Sequence, residues 1–267
     1  MADKDPHDTP LPSSRVVSAE FAAAPCVYGV DLGTTHTVVA HAVSDTRVQC
    51  VPGGASDGAL GHDGGAFCVP SVVAVTPGDH VLVGTTALQA VHDADVVAAV
   101  ETKRILGREA DDPYLRRETQ RWCVETQPDG LDGVAVHVPA HAGGRRDRAL
   151  TAMGAAVCIL SHVVRCTNAA RPSAPLRNAV VAAPVHFTPA QRGALLTAYA
   201  CVGIHVQAVL SEPQAAAWAA VDDAAHKPTA GDVDLIVDLG GGTFDVGVVQ
   251  WRAGGDDAGV EPVVLAT

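Results

Sequence analysis

The chain has 267 residues, 48% of them apolar, which is enough to bury a core in one large domain or two small ones. Thirty acidic residues against eighteen basic ones give a formal charge of -12, which argues against a phosphate-backbone or anionic-membrane partner. Aromatics are only 4%, and the prevalence of Ala, Val and Gly suits strands packed closely on helices, so an α/β fold is expected.

Residues 1–24 read as a disordered acidic tail, rich in Asp, Pro and Ser. The stretch lacks the apolar run of a secretory leader, and the chain is expected to be cytoplasmic. The fold begins near Cys26. Cys26 to Asp31 and Thr37 to Val43 predict two strands joined by a Gly/Thr turn. A Gly-rich loop, Pro52 to Gly65, precedes a second strand pair, Pro70 to Val75 and Val81 to Val83, around a Pro-Gly-Asp turn. Asp93 to Leu106 has helical spacing and ends at Gly107.

Arg145 to Ala170 carries apolar residues at intervals of three and four, predicting a long, largely buried helix. A strand at Asn178 to Ala183, a helix at Pro189 to Cys201 and a strand at Ile204 to Leu210 form a β-α-β crossover. Another helix opens at Ser211-Glu-Pro, with Pro213 at its first position. Three strands close the chain: Val233 to Asp238, Asp245 to Trp251 and Glu261 to Thr267. With no helix after them, their sheet is expected to be uncovered and marginal in stability.

Seven scattered cysteines without a C-x-x-C, and twelve histidines without zinc spacing, give no support for disulfides or a zinc site. Chemistry points instead to an internal echo. A strand ending in Asp-Leu-Gly, a Gly/Thr turn and a returning strand occur at Asp31 and again at Asp238. Gly33, Gly240, Gly241 and Gly242 let backbone N–H groups approach phosphate oxygens, and Thr34, Thr35 and Thr243 add hydroxyl donors. Asp31 and Asp238 suit acceptors for the water shell of a Mg²⁺ ion.

Val30-Asp-Leu-Gly-Thr-Thr-His-Thr-Val-Val resembles the first phosphate motif of the seventy-kilodalton heat-shock chaperones (heat shock protein 70 kDa, DnaK type), and Asp238-Leu-Gly-Gly-Gly-Thr-Phe-Asp-Val resembles the second. Thr102-Lys-Arg-Ile-Leu-Gly-Arg, Ala179 to Arg192 and Ser211-Glu-Pro-Gln-Ala-Ala-Ala are similar to three further family motifs, in order. The resemblance implies an actin-like ATPase (ribonuclease H-like) α/β fold. Its first lobe would run over residues 25–230 and be nearly complete; the second, over 231–267, would be truncated to about three strands, with no substrate-binding domain. It implies ATP or ADP with Mg²⁺ as ligands, ATP hydrolysis in support of protein folding, and catalytic roles for Lys103, Glu212, Asp31 and Asp238. Pro184 and Arg192 match the residues that relay nucleotide state between domains.

Co-chaperones of the J-protein or nucleotide-exchange class are the implied partners, although Val185-His-Phe-Thr-Pro departs from the family's Ala-Tyr-Phe-Asn-Asp run on the J-domain surface. His36 stands where the family usually has Asn or Tyr, and Gln214 replaces a common Thr. Neither nucleic acid nor membrane is an expected partner. The alternative is a non-catalytic truncated paralogue or interaction module that keeps the motifs and binds nucleotide weakly.

Overall fold

The structure is a computed structural model that describes residues 26–44, 47–51, 68–118, 126–128, 134–138, 148–222, 227–241, 244–254 and 259–267. The acidic tail, the Gly-rich loop, Gly242 and Thr243 lie outside the described residues. In chain order the elements begin with β1 (Val27–Leu32), β2 (His36–Ser44), β3 (Arg47–Cys50), β4 (Cys68–Pro70), β5 (Val73–Val75) and β6 (Val81–Val83). Then come α1 (Thr85–Ala90), β7 (Val97–Ala99), a 3-10 turn at Thr102–Arg104, α2 (Pro113–Glu118), β8 (Thr126–Pro128), β9 (Val134–Val138) and β10 (Arg148–Thr151). The remainder is α3 (Ala152–Ala170), β11 (Asn178–Ala183), α4 (Pro189–Cys201), β12 (His205–Ser211), α5 (Glu212–Asp222), β13 (Val233–Leu239), β14 (Phe244–Ala253) and β15 (Val260–Ala266).

The chain divides into two compact units. The larger holds residues 25–212 together with the short segment 238–245; the smaller holds 213–237 and 246–267.

In the larger unit the main sheet runs β12-β11-β1-β2-β3, with β4 also paired to β2. β1, β11 and β12 are parallel to one another, whereas β2 returns antiparallel to β1. The β11-α4-β12 crossover is therefore present as the spacing predicts. Alternation places Tyr28, Val30 and Leu32 of β1, and Ala179, Val181 and Ala183 of β11, in the core. Helix α3 supplies Ala155, Ala156, Ile159, Leu160 and Val163 to the same core. Full burial of each larger aliphatic side chain stabilises the fold by about 1.5–3 kcal/mol. By length and composition α3 is apolar enough to cross a membrane, but these side chains make it a core helix.

Helix α4 starts where its sequence dictates. Thr188 accepts from the Gln191 backbone N–H, the Gln191 side chain accepts from the Thr188 N–H, and Pro189 occupies the first turn.

Two expected helices differ. Asp93 to Leu106 is not helical: Val97–Ala99 pairs antiparallel with β5 as an edge of a three-stranded sheet, and only Thr102–Arg104 coils, as a 3-10 turn. The apolar run from Val96 to Val100 fits a short strand as well as a helix, and the partner strand decides it. The long helix begins at Ala152 and not at Arg145. Arg148–Thr151 pairs with β9, and the Thr151 side chain accepts from the Gly154 N–H at 2.9 Å as the helix cap.

In the smaller unit the sheet order is β13-β14-β15. Ala217, Trp218 and Val221 of α5 pack with Ile236, Val249, Trp251, Val260 and Val264. Trp218 and Trp251 meet edge to face at 5.6 Å, and the Trp251 indole N–H donates to Asp234 at 2.6 Å. The sequence predicts an uncovered sheet, but α5 precedes it in the chain and packs on it. Elsewhere on the sheet Val233, Leu235 and Val237 of β13 are exposed, Leu235 at 65%.

Candidate nucleotide-phosphate site

Every described residue of the site lies in the larger unit. The first turn, between β1 and β2, is tight at Gly33, where a Cβ would lie 2.2 Å from the His36 carbonyl oxygen. Ser71 holds this turn from behind. Its hydroxyl donates to the Gly33 carbonyl at 2.9 Å, its backbone N–H donates to the Thr35 carbonyl at 2.8 Å, and it shares a hydrogen bond of 3.0 Å with the buried Thr37 hydroxyl. The carbonyls of the turn are thus held back in the protein. Thr34 and Thr35 are half-buried at its tip.

The second turn meets the first through Gly241. A Cβ there would lie 2.5 Å from Thr35 Oγ1 and 2.6 Å from Thr35 Cγ2, so the threonine fills the space that a side chain would need. Two Gly/Thr turns far apart in sequence thus face each other in direct contact, as the sequence echo suggests. Gly240 is exposed beside Gly241.

Lys103 lies on the 3-10 turn after β7 and is buried, at 7% exposure. Its Nζ donates to Glu212 Oε1 at 2.7 Å and stands 3.8 Å from Asp31 Oδ1. The segment is held by Gly107, which has φ +69° and would bring a Cβ to 2.7 Å from Gln191 Cα in the first turn of α4. Lys103, Glu212 and Asp31 are therefore brought together.

Asp31 has its carboxyl pKa raised, first by burial, against the lowering effect of Lys103 and with further raising by Glu212 and Asp238. Asp238 is exposed and close enough for its charge to be felt at Asp31. Three carboxylates around one ammonium leave the cluster net anionic, which disfavours a bare phosphate and favours a cation accompanying it. Asp31 Oδ1 is buried without a hydrogen-bond partner among the described residues, as fits an acceptor awaiting a donor such as metal-bound water. Among the described residues no group of three or more His, Cys, Asp or Glu is arranged to hold a metal directly. The donor set fits a hydrated Mg²⁺ held through its waters by Asp31 and Asp238.

Pro184 follows Ala183, whose partner across the sheet is Ser211, the residue before Glu212. Pro184 is buried just after β11, its carbonyl accepting from the Phe187 N–H at 3.2 Å, and Arg192 is exposed on the first turn of α4. Two contributors escape the sequence reading. Ser71 acts through backbone partners and leaves no motif. Tyr199 of α4 is fully buried, and its phenol pKa is raised by burial and by the negative charge of Asp31; its only signal is an aromatic at a core position of the helix.

Comparison with known proteins identifies the family. The family model "Hsp70 protein" matches residues 27–257. A mitochondrial heat shock 70 kDa protein of Solanum tuberosum is 31% identical over 224 residues, 84% of this chain and 30% of its own length. A heat shock protein of Pyricularia oryzae is 29% identical over 229 residues, 85% of this chain and 34% of its own. A heat shock cognate HSP70 protein of Trypanosoma brucei brucei is 29% identical over 226 residues, 85% of this chain and 31% of its own. The chain spans about a third of the length of these relatives. Its mixed sheet with a β-α-β unit, and its two apposed phosphate-type turns, agree with the actin-like ATPase fold of that family's nucleotide-binding domain. The chain belongs to the Hsp70 family.

Proposed function

We propose that the chain binds ATP or ADP with Mg²⁺ between the Gly33–Thr35 and Gly240–Thr243 turns and hydrolyses ATP, as a chaperone ATPase domain. The observation that supports this most is the burial of Lys103 between Glu212 and Asp31, in the same unit as the Thr35–Gly241 contact.

In this reading the turns bind and orient the phosphates through backbone N–H groups and the hydroxyls of Thr34, Thr35 and Thr243. Lys103 reaches the terminal phosphate and helps to position the attacking water, and Glu212, which holds the ammonium, orients that water or sits in the metal's outer shell. Asp31 and Asp238 hold the hydrated metal. Bound Mg²⁺ supplies neutralisation of phosphate charge. Such catalysis consists of positioning and electrostatics. Support of protein folding, relay through Pro184 and Arg192, J-protein or exchange-factor partners and a cytoplasmic location belong to the same proposal. The relatives include mitochondrial proteins, so family membership alone fixes no compartment.

A second reading, an interaction module with weak nucleotide binding, is favoured by the exposed apolar residues of β13. Equilibrium titration with Mg-ATP separates the two: saturable binding below millimolar is expected, and its absence would sink the ATPase reading. Single-turnover hydrolysis should then fall at least about 100-fold in Lys103→Ala, since a lost electrostatic contact to transferring phosphate costs about 2.7 kcal/mol or more.

A further inference from the structure

His36 begins β2 directly after the first phosphate turn, is exposed, and has its Nδ1 3.2 Å from Thr35 Oγ1. Thr35 is the residue whose side chain touches the second turn at Gly241. A threonine hydroxyl has one proton to give. In the Nε2–H form of neutral imidazole, Nδ1 accepts that proton, and Thr35 then presents only lone pairs to an incoming phosphate. Protonated imidazole has N–H donors on both nitrogens and must donate to Thr35 Oγ1, which turns the hydroxyl proton away from His36.

We propose that His36 is a phosphate-positioning residue whose protonation reverses its hydrogen bond with Thr35, freeing the Thr35 hydroxyl to donate to a nucleotide phosphate and adding positive charge beside it. The proposal rests on the nucleotide-binding reading above. It makes phosphate affinity rise on acidification, as the imidazole takes up its proton.

The surrounding groups leave this effect separable. Opposite His36 on β4 stands Pro70, which carries no charge, and the neighbouring cross-strand pair is Leu32 with Thr37. The ionisable groups of the cluster are Asp31, Lys103, Glu212 and Asp238. Asp31 acts in the opposite sense, because protonating it removes an acceptor for the hydrated metal.

The test is calorimetric titration with Mg-ADP at about pH 8 and about pH 6 for the wild-type chain, His36→Gln and Thr35→Val. The terminal phosphate of ADP also titrates in this range, but it does so equally for all three proteins. The wild type is expected to gain about fivefold more affinity between the two pH values than His36→Gln does, as one charge-assisted hydrogen bond allows. Thr35→Val should lose part of that gain. By linkage, NMR titration of the His36 ring should move to higher pH in the Mg-ADP complex. Equal pH dependence in wild type and His36→Gln, or a His36 titration unmoved by Mg-ADP, overturns the proposal and leaves nucleotide binding standing. Failure of all three proteins to bind Mg-ADP at either pH overturns both.

Discussion

Lys103 Nζ and Glu212 Oε1 are 2.7 Å apart, although 109 residues separate them in the chain. The contact joins the 3-10 turn after β7 to the start of α5 and gives the buried ammonium a counter-charge at the edge of the site. Removing Glu212 leaves that ammonium with Asp31, at 3.8 Å, as its ion-pair partner. Glu212→Gln is expected to destabilise the larger unit by about 1–3 kcal/mol, less than for a fully buried pair because Glu212 is partly exposed. Combined with Lys103→Met, it should cost less than the sum of the single changes. Denaturant midpoints for the four-protein cycle measure this; additive losses would show that the two residues are not coupled.

Ser71 is the strut of the first turn. Ser71→Ala removes the donor to the Gly33 carbonyl while keeping the backbone bond to Thr35. A loss of about 1 kcal/mol in stability is expected. Mg-ADP affinity should fall as well, because the turn loses its fixed shape. Urea unfolding followed by circular dichroism, together with Mg-ADP titration, reports both effects.

Gly107 and Gly193 form a matched pair of glycines with opposite expected outcomes. At Gly107 a side chain meets both a left-handed backbone and the first turn of α4, so Gly107→Ala should cost about 2–3 kcal/mol. At Gly193, inside α4, a Cβ meets nothing within 4 Å, and Gly193→Ala should stabilise by about 0.5–1 kcal/mol. Opposite shifts in thermal midpoint are the expected result. A neutral Gly107→Ala would mean that the Lys103 segment is not seated on α4.

His41 sets an acid limit on the larger unit. It is buried on β2 with Nδ1 unpartnered among the described residues, and the guanidinium of Arg171 contacts its Nε2. Burial first, and then Arg171, lower its pKa from the ordinary histidine value. The unfolded chain therefore takes up a proton at higher pH than the folded one does. Stability should hold above about pH 6.5 and decline as pH falls below it. Urea midpoints between about pH 7.5 and 5.5 should drop for the wild type and drop less for His41→Gln. An equal drop would place the acid sensitivity elsewhere.

Elements whose signals are local are legible in the sequence. β11 follows from a short apolar run stopped by Pro184, and the start of α4 from the Thr188, Pro189 and Gln191 cap, all contained within a few residues. Val97–Ala99 and Arg148–Thr151 read as helix by spacing because their strand character comes from β5 and β9, partners that spacing cannot reveal. The site divides in the same way. Paired Asp-Leu-Gly turns announce themselves by repetition, whereas Lys103 stands out only through the motif around it, and its burial comes from the fold. Ser71 leaves no trace and Tyr199 shows only as a core aromatic of its helix, since each acts on a neighbour distant in sequence.

The contact between Thr35 and Gly241 makes bulk a shared quantity. One position can carry a side chain only while the other carries none, because the threonine already occupies the place of the missing Cβ. Tolerance to substitution at 241 is therefore written at 35. Gly241→Ala should lower the thermal midpoint in the native background and lower it far less beside Thr35→Gly, with the spacing between the turns as the quantity restored.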